Sequence, residues 1–206
     1  MTNAATQSLP KVICTSPALY LLENFLSHEE CDHFIRIAEK QIAPSVVVDE
    51  NSGQYVAHKD RTSRGTHFLK NQDPVIAAVE QRTALYSNTP IENGENIQIL
   101  HYGIGAEYKP HFDYFDPVLP GSAEVLKRGG QRICTFVMYL NDVEEGGETI
   151  FPVPNVKVTP RKGDAAFFWD VTADGKIDPN SLHGGAPVIK GEKWIATRWI
   201  RERAFY

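Results

Sequence analysis

The stretch from residue 95 to the C-terminus constrains the fold most. It is a succession of short runs rich in β-branched and aromatic residues, each stopped by Gly, Pro, Asn or Asp. "ENIQILHY", "QRICTFVMYL", "NVKVTP", "DAAFFWD" and "EKWIATRWIRE" all follow this rule, which is the signature of short antiparallel strands joined by turns. Two helices are expected upstream. In "SHEECDHFIRIAEK", Ser27 and Glu30 form a capping box, and Cys31, Phe34, Ile35 and Ala38 make an apolar stripe at helical spacing. "DPVIAAVEQRTALYSN" offers Asp73 as N-cap, Pro74 at the first helical position and Asn88 at the stop. Helices followed by a run of short strands predict an α+β, mainly β chain, an antiparallel barrel or jelly roll with helices packed on one side.

Residues 1–18 read as an extended or partly disordered lead-in. Residues 19–206 read as a single domain, with the β core at about 95–206. The polar "DENSGQYVAHKDRTSRGTHF" between the helices is expected to be a long loop with strand fragments. "DPVLPGSAEVLKRGG", residues 116–130, is too long and broken for a hairpin turn. Segments 49–65 and 116–130 are therefore candidate lids.

Charge narrows the partners. The chain carries 21 Lys and Arg against 26 Asp and Glu, a net charge of −5. This argues against nucleic-acid binding, which calls for a basic face. No apolar run approaches the ~18 residues of a membrane span, and the N-terminus shows no basic start followed by an apolar signal region. Cys14, Cys31 and Cys134 are odd in number, widely spaced and without a CxxC pair. They fit reduced thiols in a cytoplasmic protein, and Cys134, in an apolar run, fits a buried small hydrophobe.

The chemistry is concentrated in "KPHFDYF". If this is a strand, His111 and Asp113 face the same way and present an imidazole and a carboxylate to one point. A third ligand has to come from elsewhere. Of the other histidines, His28 and His33 lie on the first helix, His58 and His67 in the polar loop, and His101 at a strand end. His183 stands apart: it precedes two glycines that leave room for close approach. In the strand that follows, Lys193, Ile195, Thr197 and Trp199 share one face. An inward lysine is costly in a barrel unless it meets an anion. Two His and one carboxylate with the remaining positions open is the facial triad of non-haem Fe(II) oxygenases, and Lys193 suits the distal carboxylate of a 2-oxo acid.

With these residues in place, the chain resembles the 2-oxoglutarate- and Fe(II)-dependent dioxygenases. Within them it is similar to the prolyl 4-hydroxylases related to the catalytic domain of the collagen enzyme's α subunit, most of all the small stand-alone bacterial members. The resemblance runs from about Leu19 to the C-terminus. It rests on "RTSRGTHF", "YGIGAEYKPHFDYF", "RICTFVMYLNDVEEGGETIFP", "PRKGDAAFFW" and "LHGGAPVIKGEKWIATRWIRE". It implies a double-stranded β-helix (the jelly-roll, cupin-like core) with supporting N-terminal helices. His111, Asp113 and His183 match the iron ligands. Lys193, Tyr102 and Thr149 match residues that hold the distal carboxylate of 2-oxoglutarate, and Trp199 an aromatic of the same pocket. Arg61, Ser63, Glu95, Tyr108 and Arg132 match positions lining the peptide groove, with a structural ion pair as the alternative for Arg61 and Arg132. Tyr108 and Tyr114 could form an aromatic wall. Arg201 falls where members of the family vary.

The implied reaction is peptidyl-proline 4-hydroxylation coupled to decarboxylation of 2-oxoglutarate to succinate and CO2, with Fe(2+), O2 and L-ascorbate. The implied partner is a proline-containing peptide or protein, and a homodimer is compatible with stand-alone members. Alternatives are the same site acting on free proline, another side chain or a small molecule, and a non-enzymatic cupin-like metal-binding module. The last would lack the 2-oxoglutarate anchor.

Overall fold

The computed structural model describes residues 9–48, 55–57 and 61–206. Both expected helices form. His28–Ala38 is closed by the Ser27–Glu30 capping box, and Pro74–Ser87 begins at Asp73, whose side chain accepts from the backbone N–H groups of Val75 and Ile76. That helix stops at Asn88, which takes the left-handed conformation (φ 52°) that ends a helix. Among the described residues no helix is long and apolar enough to cross a membrane.

Most strands build two sheets, beside two separate strand pairs, one of them Glu145–Gly146 with Val188–Lys190. The larger has eight strands in the order Lys11–Thr15, Ala18–Leu22, Ala165–Trp169, Arg132–Tyr139, Lys193–Arg201, Ile97–Tyr102, Arg64–Phe68, Ala43–Pro44. The smaller has four: Val156–Val158, Thr149–Phe151, His183–Gly185, Tyr108–His111. Every pairing in both is antiparallel. Two segments of the sequence expectation take definite form. Lys11–Thr15, in the extended lead-in, is the outer strand of the large sheet. Arg64–Phe68, a strand fragment within the expected loop, pairs with Ile97–Tyr102. Val46–Val48 pairs with Tyr55–Ala57, and the rest of the candidate lid before Arg61 lies outside the described residues.

Alternation along the central strands separates two cores. Ile97, Ile99, Phe136, Met138, Ala165, Phe167, Trp194 and Ala196 point to one face of the large sheet, where Phe25, Cys31, Phe34, Ala38, Ile76 and Val79 cover them. Leu100, Tyr102, Val137, Tyr139, Ala166, Phe168 and Ile195 point to the other face and meet Phe151, Val158 and Val188 across the sandwich. Strands covered on both faces carry apolar residues at every position, which is why "RICTFVMYL" and "AAFFW" show no polar alternation. Buried polar side chains also enter the second face, among them Gln98, Thr135, Lys193 and Thr197, and they mark the site.

The segment 116–130 is anchored at its base. It contains a short helix, Ser122–Lys127. Its neck is closed by the Gln131 side chain, which donates to the Phe115 carbonyl (2.7 Å) and accepts from the Phe115 N–H (2.8 Å). Its far end is tied to the C-terminal strand, since Arg201 Nη1 donates to the Gly130 carbonyl and the Arg203 N–H to that of Gly129.

Candidate metal centre

His183 and His111 are directly opposed in the antiparallel pair of His183–Gly185 with Tyr108–His111. Gly184 makes that pairing possible. A Cβ there would lie 2.8 Å from the Tyr108 carbonyl oxygen and 3.0 Å from the Pro110 nitrogen. In both histidines Nδ1 donates to a backbone carbonyl, of Lys109 for His111 and of Ser181 for His183, each at 2.9 Å. That bond fixes ring and tautomer and leaves both Nε2 atoms as acceptors.

Asp113 reaches the same point by a different route from the one its spacing suggests. The strand ends at His111, and Asp113 sits in the bend beyond it, so strand parity does not aim its carboxylate. Contacts from the large sheet do. Thr135 Oγ1 lies 2.8 Å from Asp113 Oδ2, and the Arg132 guanidinium donates to the Asp113 carbonyl at 3.4 Å. The carboxylate is 3.6 Å from His111 Nε2 and 3.5 Å from His183 Nε2. The three ligand atoms all lie within 4.8 Å of one another. Burial pushes the Asp113 carboxyl up, but the imidazoles of His183 and His111 and the Arg132 guanidinium outweigh it and hold the group well below the usual carboxylate range. Burial lowers His183 to about 4. The site thus offers a carboxylate oxygen and two imidazole Nε2 atoms, a donor set that fits a divalent first-row cation such as Fe(II).

One cavity, roughly 420 Å³ including its open mouth, joins these ligands to the expected anchor. His111, Asp113, His183, Tyr102, Thr149, Lys193 and Trp199 all line it, with Ile195 and Thr197 from the predicted inward face. Lys193 is 3% exposed and lies directly across from Tyr102 in the sheet. Its ammonium is 5.5 Å from the Tyr102 ring centre and 5.9 Å from that of Tyr139. Burial lowers it to about 8, against the pull of Glu148. Tyr139 donates its hydroxyl to Thr149 Oγ1 at 2.8 Å, which leaves the Thr149 hydroxyl hydrogen free for an anion beside Lys193. A buried cation with a hydroxyl donor nearby is a carboxylate receptor.

The residues carried over as groove positions divide. Arg61 and Tyr108 line the cavity. Tyr108 stacks on His111 (centroids 3.6 Å apart) and lies under the Arg61 guanidinium at 4.9 Å. Ser63, Glu95 and Arg132 are not in the lining. Ser63 is buried behind Arg61, accepting from its Nε and donating to Ser45. Arg132 makes two bonds to Glu95, at 2.7 and 3.0 Å, and Arg201 a third at 2.6 Å. This is the structural ion pair, with Arg132 stacked 3.9 Å over the Trp199 ring. Tyr114 is buried against Phe112 and is not among the residues lining the cavity. His33 pairs with Asp73 and His101 with Glu192, and His58 lies outside the described residues. The sequence reading missed Thr135, Tyr139 and Asp170. A hydroxyl at the cavity-facing parity of "RICTFVMYL" was the available signal.

Comparison with known proteins agrees with this geometry. The family model of the 2OG-Fe(II) oxygenase superfamily matches residues 97–201. "Probable prolyl 4-hydroxylase 7" of Arabidopsis thaliana is 44% identical, over 92% of this chain and 64% of its own length. "Probable prolyl 4-hydroxylase 6" of the same plant is 46% identical, over 92% of this chain and 71% of its own. Among solved structures, the viral collagen prolyl hydroxylase vCPH from Paramecium Bursaria Chlorella virus-1, in its 2OG complex, superposes with a TM-score of 0.71. It is 32% identical, and the match covers 92% of this chain and 98% of that one.

Proposed function

Because this chain belongs to the 2OG-Fe(II) oxygenase superfamily, and within it to the prolyl 4-hydroxylases, we propose that it hydroxylates C4 of prolyl residues in a peptide or protein while decarboxylating 2-oxoglutarate to succinate and CO2. The observation that carries this reading is that one cavity holds both the His111, Asp113, His183 cluster and the buried cation Lys193. The cluster would hold one face of the metal. Bound Fe(II) would supply the redox chemistry that divides O2 between 2-oxoglutarate and the prolyl ring.

The remaining work falls to the protein. Lys193, with Thr149 and Tyr102, takes the distal carboxylate and so sets how far 2-oxoglutarate reaches towards the cluster. Ile195, Leu100 and Val137 line the same cavity and keep water from the reacting centre. Arg61 and Tyr108 stand where a peptide would enter, and a stacked tyrosine suits a prolyl ring in an extended chain. L-Ascorbate belongs to the proposal as the reductant that keeps the metal ferrous, and a cytoplasmic setting is in keeping with three free cysteines.

The test is turnover of a proline-rich peptide with Fe(II), 2-oxoglutarate and ascorbate, reading succinate together with one oxygen atom gained on proline. Asp113→Ala is expected to lose both products; full activity in that variant would sink the assignment.

A further inference from the structure

Asp170 is fully buried, and the cluster described above does not include it. It follows the strand Ala165–Trp169, and its N–H donates to the Ile133 carbonyl at 2.9 Å. Its Oδ2 lies 2.8 Å from Thr135 Oγ1, the same hydroxyl that lies 2.8 Å from Asp113 Oδ2. Thr135 is itself fully buried, placed between Phe168 and Trp199 in the ladders of its two neighbouring strands.

The donor count in this triplet does not close with two carboxylates. One hydroxyl has one hydrogen, yet it sits at bonding distance from two carboxyl oxygens. The second contact therefore needs a hydrogen on a carboxyl group. Asp113 already faces two imidazoles. Asp170 has no basic partner at hydrogen-bond distance among the described residues, and its Oδ1 is buried with no hydrogen-bond partner. Burial and the nearby Asp113 charge push the Asp170 carboxyl well above the usual range. The hydrogen belongs on Asp170, so the chain of bonds runs from the Asp170 carboxylic acid to Thr135 Oγ1, and from the Thr135 hydroxyl to Asp113 Oδ2.

Asp170 also supports a second member of the cluster. Its carbonyl accepts from the Asp178 N–H at 2.9 Å, and the Asp178 carbonyl accepts from the Ser181 N–H at 3.0 Å and from the Ser181 hydroxyl at 2.8 Å. The Ser181 carbonyl orients the His183 ring at 2.9 Å. The side chain of one residue leads to Asp113 and its backbone to His183.

Resting on the proposed metal site, we infer that Thr135 and Asp170 are positioning residues that hold the Asp113 carboxylate in one rotamer. Oδ2 is occupied by the Thr135 hydroxyl and Oδ1 is left to the metal. The neutral acid at Asp170 acts as a hydrogen-bond donor and adds no second negative charge to the site. An amide can donate in the same place, whereas a methyl group cannot.

The test is anaerobic titration of the full chain with Co(II), reading metal affinity and the visible ligand-field spectrum without substrate or turnover. Thr135→Val, which removes the hydroxyl at nearly constant volume, is expected to weaken Co(II) binding by roughly tenfold or more and to alter the spectrum. Thr135→Ser is expected to restore both. Asp170→Asn is expected to stay within about threefold of the parent, and Asp170→Ala to lose affinity like Thr135→Val. Unchanged affinity and spectrum in Thr135→Val would overturn the inference. So would Asp170→Asn losing as much as Asp170→Ala, and that comparison decides the matter if the valine variant does not fold. A parent protein that binds no Co(II) would count against the metal site itself, a separate outcome from failure of this inference.

Discussion

His183 stands directly across from His111 in an antiparallel ladder, with ring centroids 4.5 Å apart. Cross-strand pairing thus brings together two ligands that are far apart in the chain, and a glycine beside one of them sets how closely the strands approach.

That approach is testable at Gly184. A methyl group there would press on the Tyr108 carbonyl and the Pro110 nitrogen, both backbone atoms that cannot swing aside. Gly184→Ala is expected to cost about 1–3 kcal/mol by urea denaturation. It should also weaken metal binding, because the two histidines separate with their strands.

Lys193 is expected to trade stability for binding. Its ammonium is buried and lowered from 10.5 to about 8. Between those values the unfolded chain holds a proton that the folded chain has lost, so stability without ligand rises as the pH climbs from about 8 towards 10.5. Lys193→Met removes this penalty. At pH 7 the variant is expected to be more stable without ligand, by on the order of 2–3 kcal/mol, and to lose 2-oxoglutarate binding. Thermal denaturation and calorimetry read the two effects separately.

The same group predicts the pH dependence of cosubstrate affinity. A dicarboxylate needs Lys193 charged. With the free group at about 8, the Kd for 2-oxoglutarate should be flat below pH 7 and rise by about tenfold per unit above pH 8. Calorimetric titration with the metal-loaded protein between pH 6.5 and 9.5, values chosen to bracket that lysine, checks it.

Glu95 is expected to matter for stability. Burial would raise its carboxyl, but Arg132 and Arg201 hold it below its ordinary value. Glu95→Gln leaves both guanidinium groups without their shared anion and is expected to cost about 3–5 kcal/mol. The carboxylate's contribution is complete above the ordinary range near 4.5 and is lost as the pH falls through the lower folded value. The gap between parent and variant should therefore narrow in acid. Equal stability of the two at pH 7 would return Glu95 to a groove role.

The sequence by itself determined the elements and the parity of the central strands. The capping box at Ser27, the Asp73 cap and the inward row Lys193, Ile195, Thr197, Trp199 were all legible, because caps and period-2 alternation are local rules. His183 was legible as a ligand because two glycines follow it. The tertiary structure alone decided the rest. Asp113 lies in a bend, where parity says nothing, and its direction comes from Thr135 on another sheet. Arg132 matched a groove position and proved to be half of a buried pair, because its partner Glu95 is distant in the chain. Asp170 looked like the polar end of an apolar strand, yet it packs beneath the site. Hydrogen bonds between distant strands depend on register and sheet stacking, and those are fixed only when the two cores pack.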